Sequence, residues 1–125
     1  MVATRQSELE RVLTSLAGEL PDPLWVALVD DQGLVLACVP DQPVVDEDRV
    51  SAMTAAVVTT SERVLREVEG GSLRFANIAG SERQYLMVLL TQDRLLSVGL
   101  DPKVTAQATF RSLSRWVPQL LRILR

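Results

Sequence analysis

The sequence predicts an α/β sandwich: a single five-stranded antiparallel sheet flanked by helices on both faces, in the order α-β-β-α-β-β-β-α. Three observations carry this reading. Segments with apolar residues at helical spacing open, interrupt and close the chain. Between them lie five short runs rich in Val and Leu, grouped as two and then three. The turns within each group are too short for a parallel crossover, so neighbouring strands run antiparallel. At 125 residues the chain is expected to form one domain over residues 1–125.

Each element has its own signal. Residues 5 to 18 place Leu9, Val12, Leu13 and Leu16 at three-and-four spacing, and Gly18 with "LPDP" ends that helix. "LWVALVDDQGLVLACV" reads as a hairpin whose "DDQG" turn uses Gly33 for a positive φ. Both of its runs are almost continuously apolar, which predicts strands buried on both faces. In the loop "PDQPVVDED", Asp46 or Asp48 suits the N-cap of a long helix over about 47–68, with Gly70 and Gly71 in the C-cap position. "SLRFANIA", "RQYLMVLL" and "RLLSVGL" form a meander through "GSE" and "TQD" turns. A last helix is expected from "DPKVTAQ" onward, with Asp101 as cap and Pro102 at its first position.

The long helix has more apolar surface than one contact needs. Val50, Met53, Val57, Val58, Val64, Leu65 and Val68 span an arc of roughly 160°, where a helix lying on a sheet needs a stripe of about 100°. The edge Met53–Val57–Val64 is expected to cover the sheet. The edge Thr54–Val58–Ser61–Leu65 is then spare, and Ala52, Ala55, Ala56 and Thr59 keep the back slim. Either the whole arc is core and the alanines reflect helix propensity, or one edge packs against another subunit. The second reading is favoured, because several exposed valines and leucines on so small a domain need cover.

Composition narrows the chemistry. Apolar residues make up 47% and charged residues 23%, and the chain has no histidine and one cysteine. That removes the commonest general base and metal ligand, so no zinc or iron–sulfur site and no cofactor is expected. Serine and threonine nucleophiles would lack their usual base, and Gly70–Gly71 lacks the GK[ST] of a phosphate loop. Asp30, Asp31, Asp46, Glu47 and Asp48 could gather round a hard cation, but a turn and a helix cap explain them more simply. No catalytic residue is assigned, and no enzymatic activity is expected. Cys38, in an apolar strand, reads as an inert buried thiol.

The net charge is −3, yet Lys103, Arg111, Arg115, Arg122 and Arg125 follow Pro102 with no acidic residue among them. Setting those five charges apart leaves about −8 on the rest, which argues against nucleic acid as a partner. The last helix sets Phe110, Leu113, Val117, Leu120 and Leu124 against these arginines, with Pro118 expected to kink it. Packing on the sheet is preferred to lying on anionic lipid, and no membrane insertion is expected. The opening "MVATRQSELE" lacks the apolar stretch of a signal peptide, and no apolar run approaches the roughly 20 residues that span a bilayer. A cytoplasmic location is the expectation. A small-molecule sensor would need a cavity between sheet and helix, where the valine-rich strands predict a filled core.

The element order, the hairpin "LVDDQGLVLA", the helix "AMTAAVVTTSERVLREVEGGSL" and the closing meander with its helix resemble the Roadblock/dynein-light-chain domain family along essentially the whole chain. The resemblance implies a Roadblock/profilin-like fold. It also implies a homodimer that pairs its long helices and joins its central strands across a two-fold axis. The dimer interface would draw on Thr54, Val57, Val58, Ser61 and Leu65 of the helix and on Leu73, Phe75 and Asn77 of "SLRFANIA". Members serve as partners of small Ras-like GTPases, as dynein-associated chains and as scaffolds. The bacterial gliding-motility branch, the MglB type, stimulates its GTPase without supplying a catalytic side chain. A GTPase would meet the exposed back of the helix, at Ala52, Ala55, Thr59, Glu62, Arg63 and Arg66. A purely structural subunit of a larger complex is the alternative.

Overall fold

A computed structural model describes residues 4–43 and 45–124. It contains α1 (Arg5–Glu19), β1 (Trp25–Asp30), β2 (Val35–Val39), α2 (Glu47–Glu67), β3 (Phe75–Ala79), β4 (Gln84–Thr91), β5 (Arg94–Leu100) and α3 (Ala106–Leu124). The five strands form one antiparallel sheet in the spatial order β2-β1-β5-β4-β3. The element order and the antiparallel sheet are those the sequence predicts.

Alternation along the strands divides the core between two faces. On one, Val26, Leu28, Leu86, Leu96, Val98 and Leu100 pack against Leu9, Val12, Leu13 and Leu16 of α1 and Leu113 and Leu120 of α3. On the other, Trp25, Ala27, Val29 and Cys38 pack against Val50 of α2. Each fully buried aliphatic side chain contributes about 1.5–3 kcal/mol relative to an exposed one. β1 is buried on both faces as expected, whereas β2 is only partly so. β2 is an edge strand, and Leu34 just before it is 62% exposed.

Local chemistry explains most boundaries. Thr4 caps α1 by accepting from the Ser7 amide, and Asp46 caps α2 by accepting from the Arg49 amide at 3.0 Å. Asp30 Oδ1 accepts from the amides of Gln32 and Leu34 at 2.9 and 2.8 Å, which shapes the β1–β2 turn.

Two boundaries differ from the sequence expectation. At the end of α2 the left-handed residue is Glu69, at φ 53°, and not a glycine of the pair that follows. The Gly70 amide then reaches the Leu65 carbonyl at 2.8 Å and the Glu69 amide reaches that of Arg66 at 3.3 Å, a Schellman closure. Gly70 is required for space: a Cβ there would stand 2.6 Å from Leu65 Cδ2.

The second difference is the start of α3, at Ala106 and not at Pro102. Asp101 turns the chain by accepting from the Lys103 and Val104 amides at 2.9 and 3.1 Å. The Val104 carbonyl is taken by Gln84 Nε2 at 2.7 Å, so it is already engaged and does not open the helix. Thr105 caps instead, its Oγ1 accepting from the Ala108 amide at 3.1 Å. The helix then runs on through Pro118, which interrupts neither its span nor the burial of Leu120 beyond it.

A candidate partner-binding surface on α2 and β3

The two edges of α2 are not divided as the sequence reading has them. Val50 and Thr54 are buried, and Val58, Ser61 and Leu65 are half-buried on the same side. Thr54, expected at a subunit interface, is 1% exposed. Its hydroxyl donates to the Val50 carbonyl at 2.7 Å and shares a 2.8 Å hydrogen bond with the Tyr85 hydroxyl of β4. The hairpin tip fixes the rotation from the other flank. Gly33 is so close to α2 that a Cβ would lie 3.1 Å from Ser51 Oγ and 3.7 Å from Ala55 Cβ. Thr54 therefore belongs to the core.

Of the edge expected to cover the sheet, Met53 packs against that core and Val57 is half-buried, whereas Val64 is left in solvent. Val64 is 55% exposed and Val68 66%. Beside this edge, between α2 and the sheet, runs an open groove of about 520 Å³ whose walls include Trp25, Met53, Val57, Ile78, Arg83 and Tyr85. The groove opens to solvent beside the filled core of this face. At its floor the Trp25 and Tyr85 rings lie 6.3 Å apart, and Trp25 Nε1 donates to Ser97 Oγ at 3.0 Å. Burial raises the Tyr85 hydroxyl above its usual pKa, opposed by its hydrogen bonds to Thr54 and Ser97.

β3 is the open edge of the sheet, paired on one side only, with β4. Its register places Ala76 and Ile78 on the α2 face, beside the groove, and Phe75 and Asn77 on the α3 face. Ile78 is 54% exposed; the sequence reading passed over it, although a large apolar residue in an otherwise small and polar "FANIA" was its signal. Phe75 is exposed and meets Phe110 of α3 edge-on at 4.8 Å, and Asn77 is exposed. Leu73 lies ahead of the strand and is half-buried. Among the described residues, four of the five exposed large apolar side chains, Val64, Val68, Phe75 and Ile78, therefore stand on α2, its end and β3. That concentration makes this side of the molecule a candidate contact surface.

Ala52, Ala55, Thr59, Glu62, Arg63 and Arg66 are all exposed on the back of α2. Elsewhere, Asp30 and Asp46 are engaged in the turn and the cap, and among the described residues no three His, Cys, Asp or Glu side chains gather closely enough to hold a metal ion. Cys38 is buried, and burial, with Glu47 and Asp41 nearby, pushes its thiol up to about 11. The apolar face of α3 is spent on the core, and Arg115 reaches Glu19 of α1 at 2.7 Å. No helix among the described residues is long and apolar enough to cross a membrane.

A five-stranded antiparallel sheet with α1 and α3 on one face and α2 on the other, open at β3, defines a protein of the profilin-like sandwich class. Profilin II of Acanthamoeba castellanii shares it at a TM-score of 0.57 and 14% identity, over 95% of this chain and 98% of that one. More specifically, residues 10–99 match the Roadblock/LC7 domain, and the chain belongs to that family. Its fold is similar to Myxococcus xanthus MglB, with a TM-score of 0.84 and 15% identity over 99% of this chain and 92% of that one. It is also similar to the gliding protein MglB of Thermus thermophilus, with a TM-score of 0.82 and 15% identity over 98% of this chain and 93% of that one. No protein with a curated description matches the sequence.

Proposed function

We propose that this chain is a homodimeric regulator or scaffold that binds a small Ras-like GTPase and contributes no catalytic side chain of its own. The observation that carries the reading is the coincidence, on one side of the molecule, of an open strand edge with the spare apolar edge of α2. An edge strand is a ready template for pairing with another chain. A two-fold contact is self-complementary, so one patch serves both copies. Dimerisation along β3 and α2 would place two α2 backs side by side as a platform for a third protein. Membership of the Roadblock/LC7 family and the likeness of fold to two MglB proteins support a GTPase as that third protein.

Regulation without a catalytic group works through population. A partner that binds one conformer of a GTPase more tightly shifts the GTPase toward that conformer. If the favoured conformer has its own catalytic residues aligned, hydrolysis accelerates. The test is capture from the native host's lysate with the tagged dimer, in a GTP analogue and in GDP, followed by a hydrolysis assay with any small GTPase recovered. Recovery in the GTP-analogue lane alone supports an effector or activator. No GTPase in either lane overturns the reading in favour of a structural subunit.

A further inference from the structure

We propose that the groove beside α2 binds a small apolar carboxylate, a fatty-acid-like molecule whose tail lies along the groove and whose headgroup meets Arg83. At about 520 Å³ the groove falls within the size of small-molecule sites, about 300–1,000 Å³. Four elements supply its walls: Trp25 of β1, Met53 and Val57 of α2, Ile78 of β3 and Tyr85 of β4. Most of the exposed apolar patch lies apart from it. Val64 and Val68 stand farther along α2, and Phe75 is on the other face of β3. Only Ile78 is common to both, so the proposal goes beyond the dimer and does not rest on it.

The polar groups along the groove decide the chemistry of its ligand. Trp25 Nε1 is spent on Ser97 Oγ at 3.0 Å, and the Tyr85 hydroxyl on Thr54 at 2.8 Å. Gln84 Nε2 is spent on the Val104 carbonyl at 2.7 Å. A sugar, nucleotide or peptide lying here would give up water without gaining hydrogen-bond partners. The body of the ligand is therefore hydrocarbon. Arg83 is the one charged side chain on the walls, and no carboxylate lines the groove beside it. It is exposed and enters none of the ion pairs among the described residues. A guanidinium meets a carboxylate through two parallel hydrogen bonds. One anionic headgroup on an apolar tail satisfies both parts of the groove.

Calorimetric titration with decanoate, and with decanol as its uncharged counterpart, tests the assignment. The expected result is saturable binding of one decanoate per chain and a melting temperature that rises with decanoate concentration. Decanol should bind about tenfold more weakly. Arg83→Gln should weaken decanoate by a similar factor and leave decanol unchanged, because only the headgroup contact is lost. Val57→Phe should fill the groove and weaken both ligands; Arg83 is exposed, so its variant reports even if Val57→Phe folds poorly. Equal binding of the two ligands, or indifference of decanoate to Arg83→Gln, would overturn the headgroup contact. Indifference to Val57→Phe in a folded protein would put the ligand elsewhere, and many ligands per chain would mean detergent-like adsorption. Either result overturns the site. So does the absence of both heat and a shift in melting temperature, and a dimeric mass in that sample would give the groove to a second copy.

Discussion

Glu69 adopts φ 53° at the end of α2, a conformation that glycine enters freely and other residues at a cost. Glu69→Gly is expected to stabilise the fold by about 0.5–1 kcal/mol, read as a higher denaturation midpoint with an unchanged slope. Gly70→Ala should do the opposite, because its methyl group would meet Leu65. The pair "GG" announced the end of the helix but not which residue would take the strained position. That choice follows from the close seat of Gly70 against Leu65, which composition does not display. Cys38 and Tyr85 carry the pH dependence. Both hold their protons more tightly in the folded state, Cys38 up to about 11. As pH rises the unfolded chain ionises first, so their contribution to stability is complete below about pH 8.5 and is lost as pH climbs toward 11. Thermal unfolding followed from pH 7 to 11 should show this decline, flattened at its lower end in Cys38→Ala. Alkylation of Cys38 at pH 8 should be slow until the protein unfolds.

Among the elements, α2 separates two kinds of substitution that look alike in sequence. Val64→Glu places a charge on the exposed edge, so the fold should keep its stability while dimerisation weakens tenfold or more, about 1.4 kcal/mol. Val58→Glu drives a charge toward the sheet and should cost the fold itself about 2 kcal/mol. Circular dichroism melts beside sedimentation of both variants make the distinction, and loss of the dimer in Val58→Glu with an unchanged melt would contradict the observed rotation of α2. The arc of apolar residues was legible in the sequence; its phase was not. Phase is decided at long range, by Thr54 meeting Tyr85 and by Gly33 closing on Ser51 and Ala55. The start of α3 was illegible for a similar reason: Asp101–Pro102 is a sound helix opening until Gln84, on another strand, takes the Val104 carbonyl. Asp46, whose partner is three residues away, could be read directly.

For the whole molecule, the fold was readable because two periodicities alternate cleanly and the strands are grouped by short turns, which leaves few topologies. The surface was less so, since exposure depends on which strand falls at an edge, and strand order is a property of the assembled sheet. If folding and dimerisation are coupled, the melting temperature should rise by a few degrees for each tenfold increase in protein concentration, and a concentration-independent midpoint would point to a stable monomer.

The two edges of the sheet are not equivalent. β3 is open, whereas β2, at the other edge, is flanked by α1, whose Gln6 side chain donates to the Leu36 carbonyl at 3.0 Å. Joining two copies through β3 yields a ten-stranded sheet bounded on both sides by β2. At each boundary the Leu36 carbonyl would already be taken by Gln6, one acceptor fewer for a third copy to pair with. In the proposed dimer the adhesive side would be consumed in making a pair, so a sheet built to stick would end as a closed unit and not as a fibre.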